Sequence, residues 1–241
     1  MKVKQKLDVD TVIFDFDNTL VDTRKAIQEA YNEIFSEINQ KYGASPERLM
    51  IEIRNIEEEV KSNSGNLDRK HFDRTRYFEV LSERLKLNIS SQDIKKYADS
   101  FYNMIIKKSE PFPNVESVLP ALKARGKRLG LVSEGSESRP GYKSRHISHF
   151  SFSKYFDFIV VAGETIPEHK TSPLIFAKII QQYNLNPSRT VVIGDRMDMD
   201  IENAMENGMH AILFVGRADP RRGKHKPDFK IDDLNELLDI I

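Results

Sequence analysis

An α/β fold, with a doubly wound parallel sheet interrupted after its first strand by a helical bundle, is the class this sequence predicts. Three observations lead there. Short apolar, β-branched runs such as Thr11-Val12-Ile13-Phe14 and Thr190-Val191-Val192-Ile193 have the length and continuity of strands buried on both faces. From about residue 111 onward such runs alternate with helix-periodic segments, the mark of crossover connections between parallel strands. Between Asp22 and about Glu110 the chain instead carries four amphipathic helical patterns with no strand between them, which reads as a bundle. The expected domains are 1–21 with 111–241 as a sheet-bearing core, and 22–110 as a helical insertion.

Each element has its own signal. The first strand runs from Thr11 into Asp15-Phe16-Asp17. Ala26, Ile27, Ala30, Ile34, Phe35 and Ile38 recur at spacings of three and four and mark a first helix, ended by Tyr42-Gly43. Ser45-Pro46-Glu47 opens a second, with Ser45 as N-cap and Pro46 at the first helical position. A polar break at Ser62–Asn66 follows; Asp68 is the expected start of the third helix, and Ser90 or Ser91 that of the fourth. The prolines of Glu110-Pro111-Phe112-Pro113 mark the return to the sheet. A helix from Val115 to Arg125 stops at Gly126, and Arg128–Ser133 is the second strand. Asp157–Val161, Arg189–Asp195 and Ala211–Val215 are the third to fifth strands, with helices expected from Pro173 to Tyr183 and from Asp232 to Ile241.

Composition narrows the function classes. The 241 residues hold equal numbers of acidic and basic side chains, 37 of each, so no net charge draws the chain to nucleic acid or a membrane surface. With no cysteine, disulfides, thiolate metal sites and cysteine nucleophiles are excluded. The polar start Met1–Lys6 and the short first apolar run fit neither a signal h-region nor a membrane span, so a cytoplasmic protein is expected. The segment from Ser136 to Ser153, with Arg139, Lys143, Arg145, His146 and His149, is locally basic and reads as a solvated helix face.

Candidate chemistry sits at the strand ends. Asp15 and Asp17 lie two residues apart where the first strand runs out, so they point the same way into the crevice where open α/β sheets bind ligands. Two carboxylates so close repel unless they share a proton or a cation, and a divalent metal serves. Ser133, Lys170 and Asp195 lie at or just beyond later strand ends. Each also has a bland reading: a strand-end Asp or Ser forms turns, Asp17 or Thr19 caps a helix, and a lone Lys is solvated. Asp198 and Asp200 both have the position of a cap for the following helix.

In order along the chain, these residues resemble the motifs of the haloacid dehalogenase superfamily of phosphotransferases. Asp15-Phe16-Asp17-Asn18-Thr19 is similar to its first motif, a strand followed by DxDxT, and Leu131-Val132-Ser133 to its second. Lys170 in His169-Lys170-Thr171-Ser172-Pro173 resembles the third, and Gly194-Asp195-Arg196-Met197-Asp198-Met199-Asp200 the fourth, in its GDxxxxD form. The likeness spans nearly the whole chain. It implies a Rossmann-like core, a helical cap of the first type, a Mg²⁺ cofactor and a phosphatase that hydrolyses a small organic phosphomonoester through an aspartyl-phosphate. Asp15 is then the nucleophile, and Asp17 the general acid and base. Asp15, Asp195 and the backbone carbonyl of Asp17 become metal ligands, with Asp200 favoured by spacing as an outer one. Lys170 counters charge on the nucleophile and the phosphoryl group, while Thr19, Ser133 and the amide at Glu134 join the substrate-binding set.

Departures from the family pattern carry expectations too. Asn18 stands where Gly is common, a change expected to leave the chemistry intact. Glu134 follows the motif-two hydroxyl where Asn is common; facing a phosphate it would repel it, so its side chain is expected to turn away or meet a cation. Asp17 favours phosphate over a haloacid, since dehalogenases typically lack the second acid. Behind the phosphatase stand a phosphomutase on the same scaffold and a catalytically idle fold used as a binding module. Substrate choice is assigned to the cap, with the break from Lys61 to Arg69 as a substrate-facing loop. The expected partner is a small phosphorylated metabolite, with no nucleic acid and no membrane; monomer and homodimer are not distinguished.

Overall fold

The computed structural model describes residues 6–62, 73–136, 139–216 and 223–241. They form two compact units: Met1–Asp22, Glu110–Gly135 and Lys143–Ile241 make a sheet-bearing unit, and Thr23–Ser109 with Ser136–Tyr142 a helical one.

The sheet-bearing unit has six parallel strands, β1 (Thr11–Phe14), β2 (Arg128–Glu134), β3 (Phe158–Ala162), β4 (Thr190–Gly194), β5 (His210–Phe214) and β6 (Phe229–Ile231), in the order β3-β2-β1-β4-β5-β6. Residues alternate between two cores along β1 to β5, because successive side chains leave opposite faces of the pleat. Val12 and Phe14 of β1, with Val191 and Ile193 of β4, join one core, which α5 (Val115–Ala124) and α9 (Leu237–Ile240) cover with Val118, Leu122 and Leu237. Ile13 and Val192 face the other, filled by Ile175, Phe176 and Ile179 of α7 (Leu174–Tyr183) and by Ala204 of α8 (Glu202–Glu206). Burial on both faces is why these strands read as unbroken apolar runs. β1 is central, paired with β2 on one side and β4 on the other, so its C-terminal end lies beside theirs.

In the helical unit, α1 (Thr23–Tyr42), α2 (Pro46–Ser62), α3 (Arg74–Leu85) and α4 (Ser91–Lys108) share a core that includes Ile34, Phe35, Ile53, Phe78, Tyr97 and Phe101. Ser90 caps α4 as its sequence position predicts, its hydroxyl accepting from Asp93 N at 3.1 Å. The Ser45 hydroxyl likewise accepts from Arg48 N at 3.3 Å ahead of α2. Arg74 is half-buried in this unit: Nη1 donates to Tyr31 Oη at 2.6 Å and Glu57 Oε1 at 2.8 Å. Its guanidinium lies 4.4 Å from the Tyr77 ring centroid and 4.8 Å from that of Phe101.

Three differences from the expected elements stand out. β6 was not expected; it adds to the sheet edge through three residues, too few to show a period. The tail is a 3₁₀ turn, Leu234–Glu236, and one turn of α-helix, where a continuous helix from Asp232 was expected. Ser136–Tyr142 packs with the helical unit, Tyr142 edge-on to Tyr102 at 4.7 Å and Arg139 paired with Asp99. Asp68 and the break as far as Arg69 lie outside the described residues, except for the backbone of Lys61 and Ser62 at the end of α2; α3 begins at Arg74, capped by Asp73.

Candidate active site

The site is built at the C-terminal ends of β1, β2 and β4. Asp15 follows β1 directly, and its N–H donates to Ile193 O of β4 at 2.8 Å, so the ladder continues through the residue. Asn18 then takes φ +63°, a left-handed conformation that Gly and Asn accept with least strain; this is why Asn serves where Gly is common. The turn carries Thr19 back beneath Asp15, and the Thr19 hydroxyl donates to Asp15 Oδ2 at 2.9 Å.

Asp195 and Asp200 come from the turn after β4. Met197–Ile201 is a wide π-helical turn, with Asp200 N bonded to Arg196 O at 3.0 Å and Arg196 N to Asp200 Oδ2 at 3.1 Å. It lays the Asp200 carboxylate against Gly194, where a Cβ would collide with it; only Gly allows that approach. Asp198 goes the other way, to the Arg196 guanidinium at 2.9 Å through both oxygens. Geometry therefore separates the two acids: Asp200 is 1% exposed and belongs to the cluster.

Asp15, Asp195 and Asp200 are all buried, and each offers an oxygen within 4.8 Å of the others. Lys170 reaches in from the segment between β3 and α7, pairing with Asp15 Oδ1 and lying 2.6 Å from Asp200 Oδ1. The Asp200 contact is an ion pair without hydrogen-bond alignment. Burial alone would lower the Lys170 pKa, but Asp15 and Asp200 outweigh it and hold the ammonium above the usual lysine range. Burial pushes the Asp15 carboxyl up, to about 7; Lys170 opposes the shift, and Asp200 and Asp17 add to it. Asp15, Asp195 and Asp200 thus bring three carboxylates together in a dry place, and their hard oxygens are the donors a divalent cation takes.

Asp17 Oδ2 accepts from Ser133 Oγ at 3.3 Å and from Lys143 Nζ at 2.5 Å. Lys143 corrects the expectation of a solvated basic face. Its side chain is 8% exposed, on α6 (Tyr142–Ser148), with the ammonium 5.5 Å from the Phe16 ring centroid. His146 of the same helix is buried edge-on to Phe16. The charge count hid both, because a helix in a locally basic segment still buries one face.

Thr19 is fully buried and its hydroxyl donates to Asp15, so in this structure it orients that carboxylate. Ser133, equally buried, turns its hydroxyl to Asp17. Glu134 turns its carboxylate to Lys170 N, at 2.9 Å, and to His169 Nδ1. Asn203, which no motif marked, donates Nδ2 to Lys170 O at 2.6 Å; its one signal is its place three residues after Asp200, on the same helical face.

A family model described as haloacid dehalogenase-like hydrolase matches residues 12–214. The chain belongs to that family. Among relatives of this haloacid dehalogenase-like hydrolase, a glyceraldehyde 3-phosphate phosphatase of Methanopyrus kandleri is 26% identical over 97% of each chain. An N-acylneuraminate-9-phosphatase of Mus musculus is 24% identical over 95% of this chain and 92% of its own. The solved structure of the putative HAD-hydrolase YfnB from Bacillus subtilis, bound to magnesium, shares the fold with a TM-score of 0.77 at 17% identity, covering 97% of each chain. Among the described residues, no helix is long and apolar enough to cross a membrane.

Proposed function

We propose that this hydrolase is a Mg²⁺-dependent phosphatase of small organic phosphomonoesters, working through an aspartyl-phosphate on Asp15. The observation that carries the reading is the convergence of Asp15, Asp195 and Asp200, with oxygens within 4.8 Å of one another, on a buried ammonium. Mg²⁺ would be held by Asp15, Asp195 and Asp200 with the backbone carbonyl of Asp17, and when bound it neutralises phosphoryl charge. Asp15, oriented by Thr19 and Lys170, attacks phosphorus and the ester oxygen leaves. Asp17, steadied by Lys143 and Ser133, gives that oxygen its proton and then takes one from the water that hydrolyses the acyl phosphate. Lys170 screens the Asp15 carboxylate as the phosphoryl dianion approaches.

On this reading the choice of phosphomonoester falls to the helical unit, which acts as the cap and supplies none of these groups. The relatives' names disagree on substrate, one giving a triose phosphate and another a sialic acid phosphate, so a panel is needed. The test is phosphate release from phosphomonoesters, glyceraldehyde 3-phosphate first, in Mg²⁺ or EDTA, beside Asp15→Asn. Release that needs Mg²⁺ and is abolished by the substitution is expected. Turnover that persists in Asp15→Asn overturns the nucleophile, and unchanged turnover in EDTA overturns the metal. Isomerised product without free phosphate would make the enzyme a mutase.

A further inference from the structure

We infer that Glu134 is a positioning residue for Lys170: it clamps the peptide that carries the ammonium, and so holds that ammonium on Asp15. The inference rests on the phosphatase reading for its effect on turnover, though not for its geometry. A carboxylate one residue beyond Ser133 looks misplaced, since an anion facing a phosphate dianion would repel it. The structure turns it sideways. Glu134 Oε2 accepts from Lys170 N at 2.9 Å, and Oε1 is paired with His169 Nδ1.

The clamp matters because of what it holds. Lys170 lies in the irregular segment between β3 and α7, so no helix or strand ladder fixes its peptide. Glu134 takes its N–H, and Asn203 takes its C=O at 2.6 Å, which ties the residue from both sides. The hydrogen bond to an ionised acceptor is of the stronger, charge-assisted kind. His169 is fixed as well. Its ring fills the space where a side chain on Gly163 would be, and Gly163 has φ +76°, so only Gly fits there. The Ser172 N–H bond to His169 O, 2.9 Å, closes the turn. A Lys side chain has four rotatable bonds, and backbone drift at its root would move the ammonium off Asp15. Misplacement of about 1 Å costs up to roughly 10²-fold in rate.

The test is a double-mutant cycle in the full-length protein, with kcat/KM measured on the best phosphomonoester for wild type, Glu134→Ala, Lys170→Ala and the pair. Hydrogen exchange at the Lys170 amide is followed in wild type and Glu134→Ala. Glu134→Ala is expected to lower kcat/KM by about 10–100-fold, and by less than about twofold when Lys170 is already Ala. Glu134→Gln, whose amide oxygen still accepts the N–H, restores the rate to within about fivefold of wild type. The Lys170 amide exchanges about tenfold or more faster in Glu134→Ala. An equal loss in both backgrounds, the mark of general destabilisation or an independent role, overturns the clamp, as does a wild-type rate in Glu134→Ala. If wild type hydrolyses no phosphomonoester the phosphatase reading falls by itself, and amide exchange decides the clamp: faster exchange supports it, and an unchanged rate ends it.

Discussion

In the helical unit Arg74 is held by Glu57 and Tyr31 and lies over the faces of Tyr77 and Phe101, while in the sheet-bearing unit Lys170 is held by Asp15 and Asp200 with Asp195 alongside. Lys170 is buried and Arg74 half-buried, and both are kept charged by their neighbours, against a desolvation cost that acts the other way. The balance differs. Around Arg74, one carboxylate, a phenol and aromatic faces satisfy one guanidinium, and the cluster is complete as it stands. Around Lys170, Asp15 and Asp200 share the ammonium, and Asp195 brings a third carboxylate within 4.8 Å of theirs, a set of hard oxygens able to hold a metal ion. A cation packed among rings and one carboxylate reads as architecture, and carboxylates gathered from separate strand ends read as a site.

That contrast can be broken from either side. The largest expected effect is on turnover: Asp15→Asn should lower kcat by about 10⁴-fold or more while the protein melts cooperatively, because it removes the attacking group and not the fold. Steady-state phosphate release and a thermal melt decide this together. Arg74→Met should do the reverse and cost about 3 kcal/mol of stability, since it takes the cation from half-buried Glu57 and leaves it the Tyr31 hydroxyl alone of this cluster. Denaturant titration measures that loss. Mg²⁺ at about a hundred times its Kd should stabilise wild type by about 2.7 kcal/mol, and Asp195→Asn should lose most of this gain; Arg74→Met should keep it.

The smallest effect concerns His146. Burial lowers its pKa from 6.5 to about 4; Lys143 adds to the shift, Asp17 opposes it and His149 adds to it. Between those values the unfolded chain binds the proton more readily than the folded one. The His146 contribution is therefore intact above about pH 6.5 and lost progressively as pH falls towards 4. In His146→Leu the pH dependence of the melting temperature should flatten across that window, and an unchanged slope would refute the assignment.

What could be read from the chain follows from what each residue answers to. Thr11–Phe14 and Thr190–Gly194 were legible as strands because burial on both faces demands continuous apolar character, and Asp15 and Asp195 because they interrupt it at the point where the strand must stop. Asp200 needed coordinates to part it from Asp198, since the π-turn that aims it has no pattern of its own. Lys143 was hidden by its basic neighbours, and the Thr19 bond to Asp15 depends on a turn through Asn18 that no pattern announces. β6 escaped because three residues, Phe229–Ile231, are too short a run to show a period, and pairing with the neighbouring strand is what extends them.

Because Asp15 N donates to Ile193 O, the gap between Asp15 and the acid that follows β4 is a dimension of the sheet, set by strand spacing rather than by any loop. Surface connections can lengthen, shorten or change sequence without moving those two groups apart. Affinity for the ion should then persist through local loosening of the periphery and disappear in one step, at the temperature where the central strands separate.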